Sequence, residues 1–405
     1  MLRMLSTFTF VLAVVLGAHG FPEEDLVVDL PGASFEIPFK QYSGYLSPDT
    51  SKHLHYWFVE SERNPSEDPI IVWMNGGPGC SSLDGFLTEL GPFKVNDDGQ
   101  TLMYNPYAWN KNASVIFLET PICTGFSYSD GEDCVVSDDS GALDNYMALR
   151  IFFESKFPEY LSNELYLTGE SYAGIYVPLL AQLILDETTG TKLNLKGFAV
   201  GNGVSNMETS DNSLMFYAKY HALLDEDIWS SLVTECCEGG ESRHNCDFHI
   251  MTDNPTVTEE CMMALLVAYD EVWGGGLNPY SIYGECVHVE NSTHSGLSRL
   301  AADMHNNFRH SKQPRFEPDC TDSSKLRSWI NSPEVRSALH IPEYVQNWDI
   351  CSQDSNDQYV RQYGDMTEQY QNLLPHVRAL VYNGDWDTVC NYLGTQWFVE
   401  SLGLE

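Results

Sequence analysis

The chain has 405 residues, 43% of them hydrophobic, and 58 acidic side chains against 21 basic ones give a formal charge of −37. This length and hydrophobic content suffice for one large α/β core. The acidic balance excludes a protein that binds nucleic acid through clustered Lys and Arg. The charge suits an acidic compartment, where protonated carboxyls repel one another less, but it equally suits simple solubility.

The first segment predicts a secretory signal peptide. An apolar run covers residues 8–16, and the small residues Ala18 and Gly20 precede a cleavage site at Phe21. We therefore expect residues 1–20 to be removed. The run is too short to span a bilayer, and no later segment is long and apolar enough, so no membrane anchor is expected.

Other features agree with the secretory pathway. Eleven cysteines are typical of an oxidising compartment, where disulfides persist. Asn112 and Asn291 begin glycosylation sequons. We expect a glycoprotein of the secretory pathway that is either lysosomal or extracellular.

Short apolar segments alternate with longer amphipathic ones. Five segments rich in β-branched residues predict strands, at residues 69–74, 114–118, 164–168, 195–200 and 379–382. Several are continuously apolar, as in strands buried on both faces of a mostly parallel sheet. Residues 143–157 and 172–185 predict helices, the second kinked at Pro178. The pattern predicts an α/β fold with helices flanking the sheet.

The composition changes in the middle of the chain. Residues 206–324 are rich in cysteine and contain three consecutive glycines. We interpret this segment as a cap (lid) subdomain inserted into the α/β core. The core then consists of residues 21–205 and 325–405.

Residues 165–174, Leu-Tyr-Leu-Thr-Gly-Glu-Ser-Tyr-Ala-Gly, predict a nucleophile elbow. In that motif a sharp strand-to-helix turn lifts a serine hydroxyl, here that of Ser171, above the end of a sheet. Ala173 breaks the strict Gly-x-Ser-x-Gly pattern, since the last glycine comes one residue later. A Gly-x-Ser match alone is often a plain turn.

A second motif is the glycine-rich segment at residues 73–82, Trp-Met-Asn-Gly-Gly-Pro-Gly-Cys-Ser-Ser. Its N–H groups suit one half of an oxyanion hole, and the residue after the nucleophile supplies the other half. The predicted donors are Gly77 and Tyr172. The alternative is an ordinary glycine-rich turn.

A third motif follows the last predicted strand, where residues 383–387 read Asn-Gly-Asp-Trp-Asp. An acid at the carboxyl end of a strand is placed to orient a catalytic histidine. Spacing alone does not decide between Asp385 and Asp387.

These motifs together resemble the serine carboxypeptidases. Further segments carry the resemblance, Pro-Tyr-Ala-Trp-Asn at residues 106–110 and Gly-Phe-Ser-Tyr at residues 125–128, and it extends from about residue 41 to residue 405. It implies an α/β-hydrolase fold and the removal of single C-terminal residues from peptides at acid pH. No cofactor or metal is expected.

The resemblance also implies roles for individual residues. Ser171 is the nucleophile, Asp387 the triad acid, and Gly77 and Tyr172 the oxyanion donors. The positions that grip the substrate's terminal carboxylate are Asn75, Gly76, Glu89 and Glu170. Two carboxyls held together share a proton, which then donates a hydrogen bond to that carboxylate, so acidic conditions are expected. Without the family, Glu89 reads as a solvated helix residue.

The implied disulfides are Cys80–Cys351, Cys236–Cys261, Cys237–Cys246 and Cys286–Cys320. Three cysteines remain. Cys123 and Cys134 are close enough in the chain to pair locally, which leaves Cys390 as the expected free thiol.

One feature departs from the family. The triad histidine is expected after the acid, but none of the residues that follow Asp387 is histidine, and the last histidine is His376. We therefore expect a C-terminally truncated and inactive chain, whose histidine lies beyond Glu405. The alternatives are a non-catalytic or protective binding scaffold of the same fold and an acyltransferase variant. The expected partners are peptides with a free C-terminus. A homodimer is possible, and the sequence does not decide the oligomeric state.

Overall fold

The computed structural model describes residues 22–131, 133–249, 258–274, 276–286, 320 and 322–404. Its strands are β1 Gln41–Leu46, β2 Lys52–Val59, β3 Ile70–Met74, β4 Phe93–Val95, β5 Leu102–Tyr104, β6 Ser114–Leu118, β7 Tyr128–Ser129, β8 Val136–Ser137, β9 Leu165–Ser171, β10 Leu195–Gly203, β11 Tyr359–Val360 and β12 Arg378–Tyr382. The predicted signal peptide lies outside the described residues.

The main sheet has the strand order β1-β2-β6-β3-β9-β10-β12, and β7 pairs with β2. Strands β1, β2 and β6 pair antiparallel, whereas β6, β3, β9, β10 and β12 all run parallel. The central strand β6 is buried along its whole length, as its continuous apolar sequence predicts. The carboxyl ends of β3, β9, β10 and β12 therefore lie along one edge of the sheet.

The helices are α1 Ser82–Asp84, α2 Asp138–Ile151, α3 Ala173–Asp186, α4 Met207–Tyr220, α5 Glu226–Cys236, α6 Glu259–Gly274, α7 Ser324–Ile330, α8 Pro333–Ala338, α9 Gln353–Gln358, α10 Thr367–Leu373 and α11 Tyr392–Ser401. Helix α2 begins earlier than its apolar periodicity predicts, because the Ser137 side chain caps it and accepts a hydrogen bond from the Ser140 N–H. Helix α3 runs on through Pro178.

Alternate side chains of the strands enter two apolar layers on opposite faces of the sheet. On β2, Tyr56 and Phe58 belong to the layer that contains α2 and α3. Trp57 and Val59 belong to the other layer, with Trp73 of β3. Helices thus cover both faces, which confirms the predicted α/β class with a mostly parallel sheet.

Helices α4, α5 and α6 share an apolar cluster of their own. Its centre includes Met215, Leu232 and Leu265, each fully buried. Most of the cluster lies in the segment expected to form the cap, although Leu393 of α11 also belongs to it. The cap boundaries at 206 and 324 stay predictions. None of the helices in the described part of the chain is long and apolar enough to cross a membrane.

Candidate active site

Ser171 is the last residue of β9, and α3 begins two residues later. Its backbone adopts a left-handed conformation with φ of 57°, which is strained for a residue with a Cβ and typical of functional turns. The turn is the sharp strand-to-helix elbow that the sequence predicts.

Backbone crowding explains the small residues around Ser171. A Cβ on Gly174 would lie 2.6 Å from the Val204 carbonyl oxygen, and one on Gly169 would lie 2.6 Å from the Cβ of Ala173. The close contact therefore falls on Gly174 rather than on position 173, where an alanine fits. This accounts for the shifted glycine.

The glycine-rich loop after β3 lies directly against the elbow. A Cβ on Gly76 would lie 2.4 Å from the Tyr172 backbone nitrogen. Within the described residues, neither the Gly77 N–H nor the Tyr172 N–H donates a hydrogen bond to a protein acceptor. Unpaired backbone N–H groups of this kind are the groups that stabilise an oxyanion.

Asp387 lies beyond the carboxyl end of β12 and is buried. Its Oδ2 accepts a hydrogen bond of 2.8 Å from the Asn202 side chain. Its Oδ1 accepts from the backbone N–H groups of Val389 at 2.8 Å and Cys390 at 3.3 Å. Burial raises the pKa of Asp387, and these hydrogen bonds oppose that shift.

Asp385, the other acid of the motif, has an exposed side chain. Its backbone carbonyl accepts a 2.7 Å hydrogen bond from the Tyr217 hydroxyl. The structure thus places Asp387 at the sheet edge and Asp385 in solvent.

The predicted carboxylate-binding residues lie together beside the elbow. The Asn75 side chain donates a 2.8 Å hydrogen bond to Glu170 Oε1, and the Glu89 carboxyl lies close enough for its charge to act on that of Glu170. Glu89 keeps access to solvent, but the protein around its carboxyl raises its pKa to about 7. Burial, and then the charge of Glu89, raise the pKa of Glu170 well above its usual value.

Sequence reasoning missed a third acid in this group, Asp84. Its negative charge raises the pKa of both Glu89 and Glu170. Burial raises the pKa of Asp84 itself to about 6. Asp84 directly precedes the π-helical turn Gly85–Glu89 that carries Glu89, so both acids lie on one short segment.

Sequence reasoning also missed the position of Cys390. It is the free cysteine among the described residues, as predicted. Its buried thiol lies near the Ser171 side chain, and its backbone N–H donates to Asp387 Oδ1 at 3.3 Å. Burial, and then the nearby Asp387 carboxyl, raise the thiol's pKa well above its usual value, so the thiol stays protonated.

The described residues place no histidine in hydrogen-bond contact with Ser171 or Asp387. His376 precedes β12 and Asp387 follows it, so the two lie at opposite ends of a strand about 16 Å long. The buried His55 instead hydrogen-bonds Glu119 at 2.8 Å. The described residues also contain no cluster of His, Cys, Asp and Glu that would hold a metal ion.

The disulfides stabilise the surroundings of the site. All four pairs that the family implies are present, and Cys123 pairs with Cys134. Cys80–Cys351 joins the glycine-rich loop to the segment before α9. Asn112 is exposed, and its glycosylation stays a prediction; Asn291 lies outside the described residues.

A family model for serine carboxypeptidases matches residues 31–405. The chain is 44% identical to mouse lysosomal protective protein, covering 94% of this chain and 81% of that protein. It is 39% identical to serine carboxypeptidase ctsa-4.1 of Caenorhabditis elegans, covering 99% of this chain and 82% of that protein.

Among solved structures, the chain is similar to Kex1(delta)p, a prohormone-processing carboxypeptidase from Saccharomyces cerevisiae. The TM-score is 0.73 at 24% identity, covering 95% of this chain and 82% of that structure. This likeness supports the fold alone, which is the expected α/β-hydrolase fold. By the family match and the two relatives, the chain belongs to the serine carboxypeptidase family, and this membership supports a carboxypeptidase function.

Proposed function

We propose that the protein removes single C-terminal residues from peptides at acid pH by way of an acyl-enzyme on Ser171. The observation that carries this proposal is the carboxyl pair of Glu89 and Glu170. Asn75 donates a hydrogen bond to Glu170, which directly precedes the nucleophile, and the charge of Glu89 acts on Glu170. A pair in this position suits a peptide whose chain ends beside the serine.

The raised pKa values explain how two acids bind another acid. Close carboxyls cannot both ionise cheaply, so the pair retains a proton below a pH of about 7, the pKa of Glu89. A protonated carboxyl donates a hydrogen bond to the substrate's carboxylate, and the Asn75 amide and Gly76 N–H are the further donors in this proposal. At higher pH two ionised carboxylates repel the substrate.

In the proposed mechanism, Ser171 Oγ bonds to the carbonyl carbon of the last peptide bond while a histidine takes the Oγ proton. The carbonyl oxygen becomes an oxyanion and accepts hydrogen bonds from the Gly77 and Tyr172 N–H groups. The C–N bond breaks, and the leaving amine takes the proton. Water then attacks the acyl-enzyme in the same way, and Asp387 orients the histidine throughout.

The histidine of this mechanism is not among the described residues near Ser171. Without a general base a serine is a weak nucleophile, so we propose that the 405 residues alone are inactive and that a histidine after Asp387 completes the site. A chimera tests this by joining Glu405 to the C-terminal region of mouse lysosomal protective protein.

The substrate is an N-acylated dipeptide, offered as the free acid and as the C-terminal amide. The chimera should hydrolyse the acid at pH 5 and leave the amide intact, whereas the 405-residue chain should cleave neither. The matched variant Ser171→Ala should lose both turnover and labelling by a fluorophosphonate. Labelling that persists in Ser171→Ala, or equal cleavage of acid and amide, would contradict the proposal.

The absence of a base among the described residues favours a second candidate, a scaffold that binds peptide C-termini without cleaving them. In that case the 405-residue chain binds the free acid with the same pH dependence, and the chimera gains no turnover. An acyltransferase variant would differ only in passing the acyl group to an alcohol. For localisation we propose the secretory pathway, ending in the lysosome or outside the cell, which the five disulfides and the lysosomal relative support.

A further inference from the structure

A buried acid lies behind the elbow. Asp138, the first residue of α2, is 1% exposed. Its Oδ1 accepts hydrogen bonds from two phenols, those of Tyr172 at 2.9 Å and Tyr359 at 2.8 Å. Asp138 thus reaches the side chain of the residue whose N–H faces the proposed oxyanion position.

The second oxygen of this carboxyl is also occupied. Asp138 Oδ2 accepts from the backbone N–H groups of Gln362 at 2.5 Å and Tyr363 at 3.0 Å. Strand β8, just before Asp138, pairs with β11, just before those two residues. The carboxyl therefore occupies one fixed position, because groups from two distant parts of the chain donate to it.

Tyr172 is held at both of its ends. Its backbone lies in the elbow against Gly76, and its side chain is 4% exposed, with Tyr176 and Tyr359 edge-on to its ring. Burial, and then the Asp138 carboxyl, raise the pKa of the phenol far above its usual value, so it remains a donor. A side chain fixed at its tip restricts the rotation of the peptide that carries it.

We propose that Asp138 is a positioning residue, which fixes the Tyr172 phenol and thereby aims the Tyr172 N–H at the oxyanion. The proposal rests on the proposed function, in which that N–H stabilises the transition state. Preorganised donors act because they need no reorientation during the reaction. A displaced N–H should therefore lower turnover and leave substrate binding unchanged.

Asp139 provides a matched control. It is the next residue of α2 and hydrogen-bonds the Gln362 side chain at 3.0 Å and the Tyr363 hydroxyl at 2.8 Å. Asp139→Asn removes the same charge from the same helix. It also weakens the hydrogen bonding between the start of α2 and residues 362–363, as Asp138→Asn does. Asp139 makes no hydrogen bond to Tyr172 among the described residues.

The first arm of the test does not depend on activity. The 405-residue chain is labelled with 15N-tyrosine, and the Tyr172 amide signal is assigned by its loss in Tyr172→Phe. In Asp138→Asn this signal should shift and exchange faster with solvent, whereas in Asp139→Asn it should stay in place. A signal that is unmoved in Asp138→Asn, or moved equally in both variants, would overturn the proposal.

The second arm measures turnover in the chimera. Loss of one oxyanion donor lowers kcat by about 10²–10³-fold. A donor that points in the wrong direction, in Asp138→Asn or Tyr172→Phe, should therefore lower kcat by at least about tenfold and leave KM unchanged. Asp139→Asn should stay within about twofold of wild type. A rise in KM at constant kcat would contradict a positioning role. A wild-type chimera without turnover would count against the proposed function instead, and the amide signal would still decide the role of Asp138.

Discussion

The two walls of the candidate site are built differently. The elbow wall consists of residues 75–77 and 169–174 and lies between central strands, where backbone touches backbone. The acid wall consists of residues 383–390 and follows β12, which within the described residues pairs only with β10. Exposed side chains on and beside that strand include Leu380, Tyr382 and Trp386.

Polar contacts with distant segments hold the acid wall in place. Asn202 bonds Asp387, Tyr217 bonds the Asp385 carbonyl, and the Ile282 N–H donates to the Trp386 carbonyl at 3.0 Å. Close packing fixes the elbow wall, whereas hydrogen bonds fix the acid wall. We therefore expect substitutions in the elbow wall to reduce stability and activity together, and those in the acid wall to reduce activity alone.

The largest effect should follow from Asp387→Asn. In the chimera, loss of the orienting carboxylate should lower kcat by about 10⁴-fold. The free energy of unfolding should change by less than about 1 kcal/mol, because removing a buried charge offsets the hydrogen bond lost to Asn202. Steady-state kinetics and urea unfolding measure the two quantities.

The exposed neighbour is the control for this prediction. Asp385→Asn changes the same charge on the same segment but should leave kcat within about twofold of wild type. If Asp385→Asn were the damaging variant and Asp387→Asn the neutral one, Asp385 would be the orienting acid.

The elbow wall should respond in the opposite way. In Gly174→Ala the new methyl group would lie 2.6 Å from the Val204 carbonyl oxygen, and neither backbone can yield without moving a strand or helix. We expect unfolding to become easier by about 1–3 kcal/mol and turnover to fall with it. Gly364→Ala, where nothing lies within 4 Å of the added Cβ, should leave both unchanged. Full stability in Gly174→Ala would show that packing does not fix this wall.

The contrast between the walls also explains what sequence could predict. The elbow wall is encoded in two short segments, so local patterns could predict the turn at Ser171 and the glycine-rich loop. The roles of Gly77 and Tyr172 stay predictions. The partners of Asp387 are far away in the chain, Asn202 for example, so spacing could not separate it from Asp385. Local patterns likewise gave no sign that Cys390 lies near Ser171 or that the charge of Asp84 acts on Glu89.

The strand predictions show the same limit. Strand β9 extends beyond the predicted residue 168 to Ser171, and β10 extends to Gly203. The added residues include Gly169, Gly201 and Gly203, which have low strand propensity. They remain extended because neighbouring strands supply hydrogen bonds along both edges of β9.

A smaller effect concerns the pH dependence of binding by the carboxyl pair, which consists of Glu170 in the elbow wall and Glu89 outside it. The affinity of wild type for a peptide's free carboxylate should fall by up to about tenfold per pH unit above the pKa of the proton-donating pair. For Glu89 that pKa is about 7. In Glu89→Gln the amide donates at every pH, so the profile should flatten. Calorimetry between pH 5 and 8 measures this, and an equally steep profile in Glu89→Gln would exclude the pair as the proton donor.

The same protons affect stability. A carboxyl whose pKa rises from 4.5 to about 7 on folding binds more protons when folded. Its contribution is therefore fully present below about pH 4.5 and is lost as the pH rises through about 7. Wild type should melt at a higher temperature at pH 5 than at pH 7.5, and the difference should be smaller in Glu89→Gln.

The smallest predicted effect comes from Asp84, which lies outside both walls and acts through its charge on Glu89 and on Glu170 of the elbow wall. Its carboxylate raises the pKa values of Glu89 and Glu170, so Asp84→Asn should lower both. The pair then ionises at lower pH, and peptide binding should weaken at a pH lower by up to about one unit. At pH 5, where the pair still holds its proton, affinity should be unchanged.

Asp97→Asn is the control, since Asp97 is exposed and pairs with Lys325. The pH midpoint of peptide binding in this variant should match wild type. A midpoint that stays in place or moves upward in Asp84→Asn would show that the Asp84 carboxylate does not raise the pKa of the pair, because removing a negative neighbour lowers a carboxyl pKa.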